Sequence, residues 1–209
     1  MLIFTNVLIA YLIGSIPTAY WVGKYYYGID IREHGSKNAG ATNTFRVFGK
    51  KSGWLVLIVD VLKGVVAATL PYWFQSQFVG FKDELLILQL STSFSAVVGH
   101  VFPIFAGFRG GKGVATSLGI VIGINPLAAA ICLGVFIFVF IFSKYVSLGA
   151  ITASLLFPFV NYFILKNDNQ IMIIFSLVLS FLVIVAHRKN ISRLIKGEEN
   201  KMNLLKKKA

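Results

Sequence analysis

The chain is short of charge and of cysteine, and each shortage excludes a class of protein. Only 13% of its 209 residues are charged, against 56% hydrophobic, and the mean hydropathy is +0.77. Water-soluble domains carry about a quarter charged residues, so a soluble domain is excluded. The single cysteine, Cys132, lies in an apolar run, which leaves no intramolecular disulfide and no thiol pair for metal or redox work. Acidic residues are scarce as well, 8 against 20 basic, for a net charge of +12. Such an excess points to anionic lipid, an anionic substrate or nucleic acid. Nucleic acid is the weakest of the three, because the basic residues separate apolar runs and do not cover a soluble face. No internal repeat or low-complexity linker is visible, which predicts one transmembrane domain over 1–197 followed by a basic tail over 198–209. What is abundant is Phe and Gly, 19 of each. That composition fits a multi-span helical membrane protein, in which Gly lets helices approach closely.

Apolar runs near the 20 residues needed to cross hydrocarbon predict spans over 2–23, 54–74, 85–105, 146–165 and 171–186. The first lacks the basic n-region, the brevity and the A-x-A site of a signal peptide. The stretch 113–143 has no charged residue, and it is too long for one span and short for two. Charge asymmetry decides its reading. Lys24, Arg32, Lys37, Arg46, Lys50 and Lys51 follow the first span and none precedes it, so the positive-inside bias puts the N-terminus outside. Arg109 and Lys112, and the tail with Arg188, Lys189, Arg193, Lys196, Lys201, Lys206, Lys207 and Lys208, are then cytoplasmic too. Residues 113–143 must therefore go out and back, turning at Asn125-Pro126, either as a short helix pair or as a partly re-entrant hairpin. The prediction is an all-α polytopic membrane protein with seven transmembrane helices, its N-terminus outside and its C-terminus cytoplasmic, with 17 of 20 basic residues inside once Lys144 is added to those named.

Polar residues collect in three segments on that inner side. FRGGKGVATS, 108–117, looks like a phosphate loop but fails as a Walker A motif, since Ala106 and Gly113 stand where Gly and Ser/Thr are required. The physics outlives the failed pattern. Gly110, Gly111 and Gly113 permit backbone N–H groups to turn inward, Val114 opens a helix whose N-terminus favours anions, Thr116 lies in its first turn, and Arg109 and Lys112 add charge. A positive-inside loop with no ligand is the plainer alternative. In SKNAGATN, 36–43, Ser36, Asn38, Thr42 and Asn43 are short hydrogen-bonding side chains suited to phosphate oxygens and hydroxyls, and Arg46 can grip an oxyanion bidentately. The alternative is a polar loop in which Thr42 or Asn43 caps a helix. In HRKNISRLIKGEE, 187–199, His187, Asn190 and Arg193 recur at helical spacing, with Arg188 beside them; a membrane-exit helix resting on headgroups explains the same residues. Within the membrane, Asp60 and Lys63 at i, i+3 read as a neutralising structural pair, with an ion or proton relay as the other reading. His100, near the inner end of the third span, suits helix bridging or substrate contact.

Together these segments resemble the bacterial acyl-phosphate:glycerol-3-phosphate acyltransferases, the PlsY family. The likeness covers nearly the whole chain: GSIP at 14–17, GATN at 40–43 with Arg46, DxxKG at 60–64, GHxFP at 99–103 with FRGGKGVAT after it, and HRxNIxRLxxGxE from His187. Ala39, where many relatives have a larger apolar residue, is a minor departure. The resemblance implies a multi-pass enzyme of the bacterial cytoplasmic membrane, its active site at the inner face, that makes lysophosphatidic acid from acyl phosphate and glycerol 3-phosphate, the first step of phospholipid synthesis. It implies no cofactor, no metal and no use of acyl-CoA or acyl carrier protein, and a functional link to PlsX, the peripheral phosphate acyltransferase that makes the donor. By motif position it makes Ser36 and Arg46 catalytically important, places a phosphate on Gly110, Gly111, Lys112 and Gly113, has His187 and Asn190 assist, and gives Glu198 local structural support.

Two physical arguments agree with that implication. Two phosphate dianions about 5 Å apart repel by roughly 13 kcal/mol at an effective dielectric of 20, so a site for both needs several cations; Arg46, Arg109, Lys112, Arg188 and Arg193 are candidates to converge. A long acyl chain gains about 0.8 kcal/mol per buried methylene and stays in the bilayer, which favours a site at the membrane edge. No Ser-His-Asp arrangement is readable, and an acyl phosphate is already activated, so direct attack by the glycerol hydroxyl is the simplest route. The departing phosphate, or else His187, takes the proton, while Asn190 or backbone N–H groups steady the oxyanion. An anion transporter and a lipid-binding scaffold are the competing classes. The first calls for binding groups near the midplane, often with inverted repeats; the second predicts that Lys112→Ala leaves lipid synthesis untouched.

Overall fold

The computed structural model describes residues 2–73 and 82–202, and all of their regular structure is helical, with no β-strand among them. The helices are α1 (Leu2–Gly14), α2 (Thr18–Tyr27), α3 (Ala41–Val47), α4 (Lys50–Thr69), α5 (Lys82–Val101), α6 (Val114–Ile124), α7 (Pro126–Ser143), α8 (Val146–Phe159), α9 (Gln170–Ala186) and α10 (Arg188–Ile195). Among the described residues, five helical stretches are long and apolar enough to cross a membrane, and a sixth results if α9 and α10, bent by 62°, count as one. Each span read from the sequence falls on helical structure, the first on two helices and not one, although the end of the second (residue 74) and Lys206, Lys207 and Lys208 of the tail lie outside the described residues. The protein is a multi-pass membrane protein. Its exposed apolar residues suit lipid: Phe4, Phe138, Phe142, Ile174 and Phe181 stand outward on apolar helices, a surface that water would drive to aggregate.

Two compact units divide the chain, Met1–Pro126 and Leu127–Ala209. In the first, helices cross where small residues let backbones meet. A Cβ on Gly64 of α4 would run into the Thr116 carbonyl of α6, and one on Gly119 would run into the Val61 carbonyl. α1 and α5 meet the same way at Gly14 and Ala96, while Ser95 Oγ donates to the Val7 carbonyl at 2.9 Å. The first span, expected as one helix, is broken at 15–17. Pro17 has no N–H to give and disfavours helical geometry at Ile16, and Lys63 Nζ on α4 donates to the Ile16 carbonyl at 3.1 Å. α6 has only eleven residues, about 16 Å of rise and half a bilayer. It ends where Asn125 turns extended, at φ −149° and ψ 97°.

In the second unit α8 packs on α9, and Phe157, Val160, Phe175, Leu179 and Val183 of this unit are buried. Pro158 sits inside α8, and the helix widens to a π-turn over Val160–Ile164. Proline leaves the carbonyl four residues earlier without its helical donor, and Ser180 Oγ of α9 donates to that Ser154 carbonyl. In lipid an orphaned carbonyl needs such a partner.

Candidate functional site

Unit one brings two of the three polar segments against each other. The loop after α2 is fastened by Arg32. Its guanidinium holds Asp30 bidentately, with Nε at 3.0 Å from Oδ1 and Nη2 at 2.7 Å from Oδ2. Nη1 donates across to the Ala106 carbonyl at 2.6 Å and the Arg109 carbonyl at 3.5 Å, and the cation lies 4.4 Å over the Tyr20 ring. The charge-assisted bonds from Arg32 hold the Asp30 carboxyl below its usual range, and Asp30 in turn raises the Arg32 guanidinium. Arg32 thus ties the 30s loop to the loop that carries Arg109. The sequence reading counted it only as a positive-inside charge, and Asp30 two residues away was the available signal for more.

Asn43, expected among the phosphate ligands, serves the loop itself. It is fully buried; Oδ1 accepts from the Ser36 N–H at 2.8 Å, and Nδ2 donates to the carbonyls of Ile31 (3.2 Å) and His34 (2.9 Å). Both amide donors are taken up, so nothing remains to offer an anion. What Asn43 does is set the backbone of Ser36. Thr42 and Arg46 lie on α3, half-buried, and Asn38 is half-buried at the Gly40 bend.

The glycine bend differs from its expected form too. The N–H groups of Gly110 and Gly111 donate to the carbonyls of Val101 (3.2 Å) and His100 (3.1 Å), capping the end of α5. They do not turn toward a ligand. Anion-favouring character therefore rests on the N-terminus of α6 after Lys112, where the first-turn amides lack partners inside the helix. Gly113 stands at φ +80°, a conformation that glycine adopts without strain, and Val97 leaves little room for a Cβ. Thr116 is fully buried, its hydroxyl 3.1 Å from His100 Nδ1, so it positions and does not bind phosphate. The two segments touch: a Cβ on Gly111 would stand 3.1 Å from the Ala39 carbonyl.

Behind the bend lies the buried intramembrane pair. Lys63 Nζ is 2.8 Å from Asp60 Oδ1, which also receives Thr18 Oγ1 at 3.3 Å and stands 3.7 Å from His100 Nδ1. Asp60, Lys63 and His100 were expected to support structure; their contacts reach α2, α5 and the break in the first span.

Unit two holds the third segment. His187 closes α9 and opens α10; its Nδ1 lies 2.8 Å from the Val183 carbonyl, which requires the proton on Nδ1 and leaves the neutral ring's lone pair on Nε2. After α10 the chain reverses at Gly197 (φ +70°), with the Glu198 N–H donating to the Arg193 carbonyl at 2.8 Å. That turn directs Glu198 outward and Glu199 inward. Glu199 Oε1 accepts from Asn190 Nδ2 at 2.7 Å and Ser147 Oγ at 2.8 Å, and Oε2 accepts from Arg193 Nε at 2.7 Å. Burial pushes its carboxyl up, but these bonds and the Arg193 charge outweigh burial and leave it lowered. The supporting glutamate is therefore Glu199 and not Glu198, which is exposed. Counted from Gly197, the GxE spacing itself ends at 199. Arg193, expected on phosphate, has its Nε committed to Glu199, and Arg188 is exposed.

Comparison with known proteins shows the family to which the chain belongs. Residues 4–197 match the family model described as glycerol-3-phosphate acyltransferase. A glycerol-3-phosphate acyltransferase of Fusobacterium nucleatum is 44% identical, over 96% of this chain and 98% of its own, and one of Listeria welshimeri is 45% identical over 93% and 94%. Among solved structures, PlsY (YgiH), an integral membrane glycerol 3-phosphate acyltransferase, superposes in its glycerol 3-phosphate form with a TM-score of 0.87 at 35% identity, covering 98% of each chain. Its lysophosphatidic acid form gives 0.83. With its family match, its full-length relatives and its helical membrane fold in agreement, the chain belongs to the glycerol-3-phosphate acyltransferase family.

Proposed function

We propose that this protein moves a fatty acyl group from acyl phosphate to the C1 hydroxyl of glycerol 3-phosphate, giving lysophosphatidic acid and inorganic phosphate. The observation that carries the reading is the seating of the Ser36 loop against the GGKG bend under the Arg32 tie. This groups short hydroxyl and amide side chains with Lys112, Arg109 and a helix N-terminus, the donors that phosphate oxygens require. Lys112, Gly113 and the first turn of α6 hold a phosphate, with Arg109 steering it. Ser36 and Arg46 act on the acyl phosphate, with Asn38 and Thr42 beside them. The hydroxyl oxygen bonds to the acyl carbon, the carbon–phosphate oxygen bond breaks, and the leaving phosphate accepts the hydroxyl proton. Asn190 or backbone N–H groups steady the oxyanion, and the loss of one such donor typically costs about 2.7–4 kcal/mol. His187, its lone pair on Nε2, is the alternative proton acceptor, and His187→Ala would then lose more than about 10²-fold in rate. Phosphate is a good leaving group, so no acyl-enzyme is needed; a stable acyl group trapped on Ser36 would refute direct transfer.

The same reading has seven membrane crossings with the N-terminus outside and the C-terminus inside. It sets the reaction at the cytoplasmic face of the bacterial inner membrane and links the enzyme to PlsX as the source of donor. Protein purified in detergent tests it: palmitoyl phosphate with glycerol 3-phosphate yields lysophosphatidate, and palmitoyl-CoA in its place yields none. Product from palmitoyl-CoA, or none from palmitoyl phosphate, overturns the donor assignment.

A further inference from the structure

The GGKG bend sits on a histidine that the reaction scheme leaves unused. His100 is 7% exposed, and its two ring nitrogens face different neighbours. Nδ1 is held from behind by Thr116 Oγ1 at 3.1 Å and stands 3.7 Å from Asp60 Oδ1, which Lys63 Nζ grips at 2.8 Å. Nε2 faces forward into the space where Gly111 would carry a side chain, and a Cβ there would overlap it. The same residue's carbonyl takes the Gly111 N–H at 3.1 Å. Ring and main chain of His100 thus fix Gly111 from two directions, one residue before Lys112.

We propose that His100 is the positioning residue of the phosphate loop: its ring, anchored by Thr116 and the Asp60–Lys63 pair, sets where the Gly111–Lys112 bend stands and therefore where Lys112 meets phosphate. The intramembrane pair is then connected to substrate affinity through one imidazole, with no charge or proton passing to substrate. Gly111 is glycine because the ring occupies its side-chain space, while its N–H already serves α5 and not a ligand.

The inference rests on the proposed site only for the identity of the ligand, and the test separates the two. Asn at 100 reproduces the Nδ1 position and empties the space in front of Gly111, whereas Gln reproduces the Nε2 position and keeps it filled. Gly111→Ala raises KM for glycerol 3-phosphate at least about tenfold with kcat changed less, the pattern of lost ground-state binding. His100→Asn by itself also raises KM, and combined with Gly111→Ala it raises KM little beyond the larger single effect, since contacting residues deviate from additivity, whereas the effects of His100→Gln and Gly111→Ala multiply. Multiplicative effects in both double variants overturn the proposal, as does a His100→Asn protein that melts lower with unchanged KM. If the wild type makes no lysophosphatidate, the function reading fails by itself; the same coupling is then read from calorimetric binding of glycerol 3-phosphate to the four variants, where multiplicative Kd changes overturn the positioning role.

Discussion

Two buried carboxylates organise the two units, and they do so over very different lengths of chain. Asp60 joins groups that are far apart in sequence: Thr18, Lys63 and His100, with Lys63 extending the set to the Ile16 carbonyl. Two of the three side chains that bond Glu199, Asn190 and Arg193, are local and joined to it by the Gly197 turn, and only Ser147 is distant. The first carboxylate has a lysine beside it inside the apolar slab, where an uncompensated charge is most costly; the second sits at the end of a helix, where donors are plentiful. The comparison teaches that charge within the span is tolerated for joining helices, whereas charge at the edge orders a single segment.

Breaking Asp60 should have the largest effect. Asp60→Ala leaves Lys63 buried without its counter-charge, and removing one partner of a buried pair costs about 3–5 kcal/mol. Thermal unfolding in detergent checks this, with Asp60→Asn/Lys63→Met expected to recover much of the loss. If the double variant is as unstable as the single one, charge compensation is not what the pair provides.

Glu199→Gln comes next, because three donors lose a charged acceptor, each such bond contributing about 1.5–3 kcal/mol. Activity falls through Asn190, while Glu198→Gln leaves activity and melting unchanged; equal losses at both positions would contradict the inward turn. Acid sharpens the contrast. The Glu199 carboxyl is lowered in the folded protein, so its contribution is complete above the ordinary carboxyl range and disappears as pH falls through the lower folded value. Melting temperature should hold steady from neutrality to about pH 5 and decline below that range, with a shallower decline in Glu199→Gln.

Arg32→Lys keeps the charge and loses the fork, so the tie between Asp30 and the Ala106 carbonyl is cut on one side. A rise of roughly tenfold in KM for glycerol 3-phosphate, or about 1.5 kcal/mol, is expected with little change in melting; an unchanged KM removes Arg32 from site positioning. Smallest is Ser180→Ala, which orphans the Ser154 carbonyl beside Pro158 and should cost about 0.6 kcal/mol, the mean for hydrogen bonds between membrane helices.

The helices and the polar segments were legible because apolar run length, charge asymmetry and glycine-rich loops are local signals. The break at Ser15–Pro17 was available in Pro17 itself and was read through as continuous helix. Asn43 and Thr116 have the right chemistry for phosphate, and only their burial reveals that their polar atoms are already engaged. Glu198 and Glu199 are adjacent and chemically equal, and a left-handed turn at Gly197 alone decides which faces inward. Arg32 and His100 gave weaker signals, since the Ala106 carbonyl that Arg32 reaches and the Thr116 and Asp60 side chains beside His100 lie more than ten residues away in the chain.

By itself the sequence determined the solvent, the helical class and the positions of the cationic bends, because hydrophobic length and charge placement act within a few turns of chain. Tertiary structure decided which donors remain for a ligand. A hydrogen-bonding group binds substrate only when the fold has not already satisfied it, and that depends on neighbours that chain order does not reveal.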